Sequence, residues 1–151
     1  LLMYVYFSLG TNLGDKEHNL RLAVQKIKER IGKVISLSAF YATAPWGFSS
    51  ENTFLNAAVC VETLLPPLSV LYLTQEMERE IGRTHKSVGG VYSDRLIDID
   101  LLLYDDRVMD TPELKLPHPL MHERRFVMES LVEIAPDLVH PVLKKKMREL
   151  L

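Results

Sequence analysis

Leu20, Val24, Ile27 and Ile31 recur at the spacing of one helix face, with Lys, Arg and Glu between them. That pattern predicts a helix with a single buried stripe, capped by Asp15 and ended by Gly32 in a left-handed conformation. Before it, Tyr4 to Leu9 is β-branched and aromatic and reads as a strand, and Gly10-Thr11-Asn12-Leu13-Gly14 reads as the following turn. Ile35, Leu37, Ala39 and Tyr41 alternate as a half-buried strand does, and so do Leu55, Ala57, Val59 and Val61, with Phe54 and Asn56 on the opposite face. Pro66 and Pro67 open a second helix with Val70, Leu73, Met77 and Ile81 inward and Gly82 at its end. Gln75 and Glu78 share another face of it, available to a ligand or to water. Arg95 to Tyr104 reads as a strand buried on both sides. Asp105-Asp106 marks a turn, and Leu116-Pro117-His118-Pro119 is too proline-rich for regular structure, which holds His118 in a stiff segment. A third helix takes in Arg124, Arg125, Phe126, Val127, Leu131 and Ile134 and stops at Pro136; Lys144-Lys145-Lys146 opens a short basic tail that caps or solvates the terminus. Hairpin-forming strands mixed with helices that cannot all be crossovers of a parallel sheet predict an α+β fold, with helices over a mostly antiparallel sheet. At 151 residues, with no repeat, linker or low-complexity stretch, residues 1–151 are expected to form a single domain.

One strand breaks its own pattern. Asp98 and Asp100 interrupt an otherwise apolar run, and period two points both carboxylates from the same face, about 7 Å apart along the chain. Left unpaired in a buried strand they would cost several kcal/mol each, so something cationic must meet them. One partner is a hard divalent ion, since Mg²⁺ takes one or two carboxylates and completes its shell with the phosphates of a substrate. The other is a structural ion pair with arginines such as Arg95.

The chemistry around the pair favours phosphate. Arg83, His85, Lys86, Arg95, His118 and Arg124 surround it in sequence with donors suited to phosphate oxygens. Phosphoryl-type transfer asks for positioning and charge more than covalent chemistry, and neither a P-loop nor a Ser-His-Asp arrangement is visible. Net charge is −2, with 25% charged and 47% hydrophobic residues. Such a chain has no overall field for gathering nucleic acid or an anionic membrane, so an anion site must be local. The single Cys60 allows no intramolecular disulfide, and no apolar stretch approaches a membrane span. A cytoplasmic protein is expected. Trp46, in the loop from Ala42 to Ser50, either plugs the core or faces a ligand.

Several segments together carry a resemblance: Gly10-Thr11-Asn12-Leu13-Gly14, Tyr41 with Thr43 and Pro45, Phe54-Leu55-Asn56-Ala57, Gln75 with Glu78, Gly82-Arg83, Arg95-Leu96-Ile97-Asp98-Ile99-Asp100, and Leu116-Pro117-His118 with Arg124 and Phe126. In this order the chain resembles the 6-hydroxymethyl-7,8-dihydropterin pyrophosphokinases of folate biosynthesis. The resemblance implies transfer of a diphosphate from ATP, the co-substrate, to the pterin's hydroxymethyl oxygen on a ferredoxin-like fold, by a monomer. It implies that Asp98 and Asp100 hold two Mg²⁺ ions, with Arg83 and Arg95 completing the catalytic set. Arg83, Arg95, His118 and Arg124 would contact the triphosphate, and Gln75, Glu78, Lys86, Tyr92 and Ile99 would line the nucleotide side. For the pterin it implies Phe126, Phe54 and Tyr92 as stacking partners, with Asn56, Thr43, Ala44, Trp46 and Asp98 around the polar edge. Loops around residues 43 to 53 and 84 to 93 are expected to close over the substrates.

The chain departs from the common family pattern where Tyr92-Ser93-Asp94 replaces a Trp-Gly-Pro-like segment, and where His85, Val91 and Glu113 stand at positions that are often basic. Fewer permanent cations predict weaker ATP binding, or a greater share of it carried by Lys86 and His118. Two competing readings are a metal-dependent glycosyl transferase, for which the chain is short, and a non-catalytic module that senses a small molecule.

Overall fold

The computed structural model describes residues 1–43, 53–83 and 96–151, with Arg83 described in its backbone only. Ala44, Trp46, His85, Lys86, Tyr92 and Arg95 lie outside the described residues, as does most of each loop expected to close.

Strand β1 (Met3–Thr11) runs past Leu9, so Gly10 and Thr11 belong to the strand and not to a turn. The turn lies further on, where Gly14 adopts a φ of 67° and the Asp15 carboxylate accepts the His18 N–H at 3.1 Å. That capping bond starts α1 (Lys16–Arg30), whose Leu20, Ala23 and Ile27 are fully buried. Gly32 follows, but not as a left-handed terminator. A Cβ there would fall 2.0 Å from the Glu62 carbonyl oxygen, so the glycine is required by close approach of two backbones.

That contact fixes where β2 (Lys33–Leu37) enters the sheet, and its phase is opposite to the one expected. Val34 and Ser36 are half-buried, while Ile35 and Leu37 are exposed, because pairing along β4 and a bulge between Val34 and Ser36 set the phase. The expected continuation to Tyr41 is broken at Ser38. Its N–H goes to the Ala58 carbonyl and its hydroxyl accepts the Ala58 N–H, both at 2.9 Å. Pairing resumes as β3 (Tyr41–Thr43) beside the start of β4 (Phe54–Thr63).

Helix α2 (Pro67–Arg83) buries Val70, Met77 and Ile81, and continues through Gly82. Beyond it β5 (Asp98–Tyr104) pairs with the free side of β1. Among the described residues the sheet order is β2-β4-β1-β5, antiparallel throughout, with β3 also on β4. The first two helices act as crossovers: α1 carries the chain from β1 to β2 across β4, and α2 from β4 to β5 across β1. Each crossover skips one strand, which is how two βαβ units yield an antiparallel, ferredoxin-like α+β sheet.

Val5, Phe7, Leu9, Val59, Val61, Ile99 and Leu101 pack under α1 and α2 in the main core. Each large side chain buried there contributes about 1.5–3 kcal/mol. Among the described residues the opposite face is covered only in part. Helix α3 (Arg125–Ile134) starts and stops where expected, and its Met128 and Leu131 pack on Ala58, Leu102 and Leu103. The basic tail is not simply solvated: it leads into α4 (Met147–Leu150), and Met147 is buried in this second core. A small hairpin of β6 (Met109–Asp110) and β7 (Lys115–Leu116), unforeseen in the sequence, precedes the cis Leu116-Pro117 peptide. No helix among the described residues is long and apolar enough to cross a membrane.

Candidate active site

Where α3 leaves the sheet uncovered, β1, β4 and β5 present the residues that alternate with their core positions. Gly10 lies opposite Asp98 on one side and Asn56 on the other, and Asn56 lies opposite Tyr41. One row of the sheet therefore runs Asp98, Gly10, Asn56, Tyr41, with Asp98 about 10 Å from Asn56 at ordinary strand spacing. In the next row Ser8 lies opposite Asp100. The missing side chain at Gly10 matters, since a Cβ would sit 3.1 Å from Asn56 Oδ1. Asn56 is itself buried and fixed, its amide donating to Thr43 Oγ1 at 2.8 Å.

A cleft of about 810 Å³ lies over these rows, a size suited to a small organic molecule. Of the residues singled out in the sequence, Thr43, Phe54, Asn56, Asp98, Asp100, Arg124 and Phe126 line it together. Gln75, Glu78, Ile99 and His118 do not. They line a second hollow of about 340 Å³ on the other side of β5. Asp100 borders both.

The second hollow owes its shape to a bulge in β5. Tyr6 pairs with Leu103 and Phe7 with Leu101, which leaves Leu102 without a partner in β1. Its carbonyl instead accepts the His118 N–H at 2.8 Å, hanging the segment after Pro117 beside Asp100. His118 Nδ1 accepts the Leu120 N–H at 3.2 Å, so in the neutral ring Nε2 carries the proton. Burial lowers the pKa of His118 below its ordinary value; Asp100 pulls it up and Arg124 pushes it down. The net direction favours the neutral ring, in which Nε2 offers a hydrogen bond. Glu78 also has a structural duty, accepting the Ile99 N–H at 2.9 Å on the outer edge of β5.

Arg124 approaches Asp100 at 3.9 Å, with both side chains more than a third exposed, and lies 6.0 Å from the Phe126 ring centre. That distance exceeds a charge-assisted hydrogen bond, so the guanidinium keeps its donors for an anion. This is a solvent-screened contact; the alternative of a structural ion pair with Arg95 falls outside the described residues. Glu113, at a position often basic, accepts the Tyr72 hydroxyl at 2.7 Å.

Ser8, Leu120, Glu123, Arg125 and Glu129 also line the cleft and were not singled out in the sequence, and Gly10, read there as a turn residue and as part of the resemblance, lines it as well. Inside a strand such a glycine marks a close approach. Glu129 pairs with Arg125 at 2.6 Å one turn away.

Among the described residues no three His, Cys, Asp or Glu side chains converge as a closed metal centre. Two carboxylates on one open face instead suit an ion such as Mg²⁺, which takes few protein ligands and fills its shell from substrate and water.

Residues 6–136 match the family described as 7,8-dihydro-6-hydroxymethylpterin-pyrophosphokinase (HPPK). A Porphyromonas gingivalis protein named 2-amino-4-hydroxy-6-hydroxymethyldihydropteridine pyrophosphokinase is 51% identical over 138 residues, 91% of this chain and 93% of that relative. One of the same name from Aquifex aeolicus is 37% identical over 145 residues, 96% of this chain and 88% of the relative. In backbone shape, wild-type HPPK-DHPS of Plasmodium falciparum matches 99% of this chain with a TM-score of 0.79 at 16% identity, and the chain spans 44% of that longer protein. The chain therefore belongs to the 7,8-dihydro-6-hydroxymethylpterin-pyrophosphokinase family.

Proposed function

We propose that the cleft over Asp98 and Asp100 is where this pyrophosphokinase moves a diphosphate from ATP to the hydroxymethyl oxygen of 6-hydroxymethyl-7,8-dihydropterin. The observation that carries the reading is the position of Asp100, which borders both a broad cleft with two aromatic rings and a narrower polar hollow. A flat heterocycle fits the first, between Phe54 and Phe126, with Asn56 and Thr43 at its polar edge. ATP enters from the second, past Gln75, Glu78, Ile99 and His118, and its phosphates reach Asp100. Arg124 binds the transferred group. By the family resemblance Arg83, Lys86, Tyr92 and Arg95 complete the phosphate side, while Ala44 and Trp46 complete the pterin side.

Asp98 and Asp100 would hold Mg²⁺, two ions by the same resemblance, supplying positive charge that offsets the polyphosphate's. The hydroxymethyl oxygen forms a bond to the β-phosphorus; the bond from that phosphorus to the α–β bridging oxygen breaks, and AMP leaves with that oxygen. Asp98 and Asp100 are the carboxylates beside the hydroxyl that must lose its proton. Burial of the reacting groups keeps water from competing as the acceptor. A single buried cysteine suits the cytoplasm, and the family resemblance implies a monomer.

The test is product analysis with Mg-ATP and the dihydropterin. Pterin-dependent AMP without ADP is expected from the wild type, and none from a folded Asp98→Ala variant. Intact nucleotide with the folded wild-type protein would overturn the proposal.

A further inference from the structure

The wall of the cleft opposite α3 is weakly built. β3 has three residues and, among the described residues, pairs only with β4, and short edge pairings of this kind are marginal by themselves. The segment before it is tied from across the cleft. The Glu133 carboxylate of α3 accepts the Ala39 N–H on both oxygens, at 3.2 and 3.0 Å, and the Tyr41 hydroxyl on Oε1. Tyr41 sits in the same sheet row as Asn56. Thr43, two residues on and on the same face, holds the Asn56 amide at 2.8 Å.

We infer that Glu133 is a positioning residue for the pterin half of the site, acting through Tyr41 and β3 to set Thr43 and, through it, the Asn56 amide. Phe126, Glu129 and Glu133 recur at spacings of three and four and so share one face of α3. The first two line the cleft. One helix face thus supplies one wall and fastens the other, so the spacing between Phe126 and Thr43 is set by Glu133. Glu133 touches no proposed substrate position, and ATP's hollow lies across the sheet on the far side of β5. The bond also holds Tyr41 as a neutral phenol, since accepting its proton raises its pKa, with burial adding to the effect.

The inference rests on the reading of the cleft as the pterin site, and its test separates the two. Steady-state constants for pterin and for ATP are measured for Glu133→Ala, Glu133→Gln, Tyr41→Phe and Asn56→Ala, with thermal melts. Glu133→Ala is expected to raise the KM for pterin about tenfold, the scale of one hydrogen bond to a charged group, while the KM for ATP stays within about twofold. Glu133→Gln keeps an acceptor and should recover much of the loss. Tyr41→Phe should raise the pterin KM less than Glu133→Ala, and the double variant should be no worse than Glu133→Ala, because the two act as one unit. Equal changes in both KM values, or a lowered melting temperature with both KM values intact, would overturn the inference and leave Glu133 a structural brace. If Asn56→Ala raises the pterin KM and the Glu133 variants do not, only this inference fails; if Asn56→Ala leaves it unchanged, the reading of the cleft fails first. Should Glu133→Ala not fold, Tyr41→Phe, which removes a single hydroxyl, reads the same split.

Discussion

Under α1 and α2, strand β1 contributes Val5, Phe7 and Leu9 to a closed apolar core, while toward the cleft the same strand contributes Ser8 and Gly10. β5 divides in the same way, with Ile99 and Leu101 on one side and Asp98 and Asp100 on the other. Neighbouring residues on one strand thus serve different ends. One face supplies most of the apolar burial that holds the sheet, and the other presents polar groups to the cleft for chemistry. Stability and activity are consequently expected to separate at the resolution of a single residue.

The sharpest way to break that division is to mutate two positions on adjoining strands that face opposite sides of the sheet. Asp100→Ala should cut turnover by about 10³-fold or more, because charge stabilisation of several kcal/mol is lost at 1.36 kcal/mol per tenfold. Its melting temperature should change by no more than a few degrees. Leu9→Ala, facing the other way, should cost about 2–5 kcal/mol of stability and leave kcat of the folded fraction intact. Urea titrations beside steady-state assays check both, and a pair in which each variant lost both properties would refute the division.

A smaller effect should follow at Gly10, where the two faces come closest to conflict. Gly10→Ala places a methyl 3.1 Å from Asn56 Oδ1, and the Thr43 bond keeps that amide from withdrawing. The expected outcome is overpacking of about 1 kcal/mol, read as a several-fold rise in the KM for pterin with little change for ATP. The least effect belongs to the second core, where His140 is buried and its Nδ1 accepts the Val142 and Leu143 N–H groups at 3.2 and 3.0 Å. Burial, with His122 nearby, lowers its pKa below the usual 6.5. The unfolded chain therefore binds a proton near pH 6.5 that the folded one resists, so this contribution is complete above pH 6.5 and is lost as pH falls below it. The urea midpoint should be lower at pH 5.5 than at pH 7.5, and part of that difference should vanish in His140→Asn.

How much of this was legible in the sequence differs between the two faces. The core stripes of α1 and α2 were, because helical spacing identifies the inward side by itself. β2 was not: alternation gives a period but no phase, and the phase came from the tight Gly32 contact and the pairing with β4. Strands β6 and β7, two residues each, are too short to carry any period. On the cleft side, Asp98 and Asp100 stood out as charges in an apolar strand, and Asn56 by its place beside Phe54. Glu133 did not, since an acidic residue on an exposed helix face looks the same whether it meets water or a backbone N–H. The neutral state of His118 depends on burial between elements distant in sequence, which no local pattern records.

The unpartnered Leu102 has a consequence for how this strand can change over time. Up to that point even-numbered residues of β5 look into the cleft, and after it odd-numbered Leu103 takes that side while Tyr104 joins the main core. The strand therefore has two reading frames, one for its carboxylates and one for its apolar end, joined at a single extra residue. Losing one residue anywhere between Asp98 and Tyr104 would merge the frames and turn one end of the strand inside out. Length in β5 is thus under tighter constraint than identity, and a lineage could replace most of its apolar residues more safely than delete one.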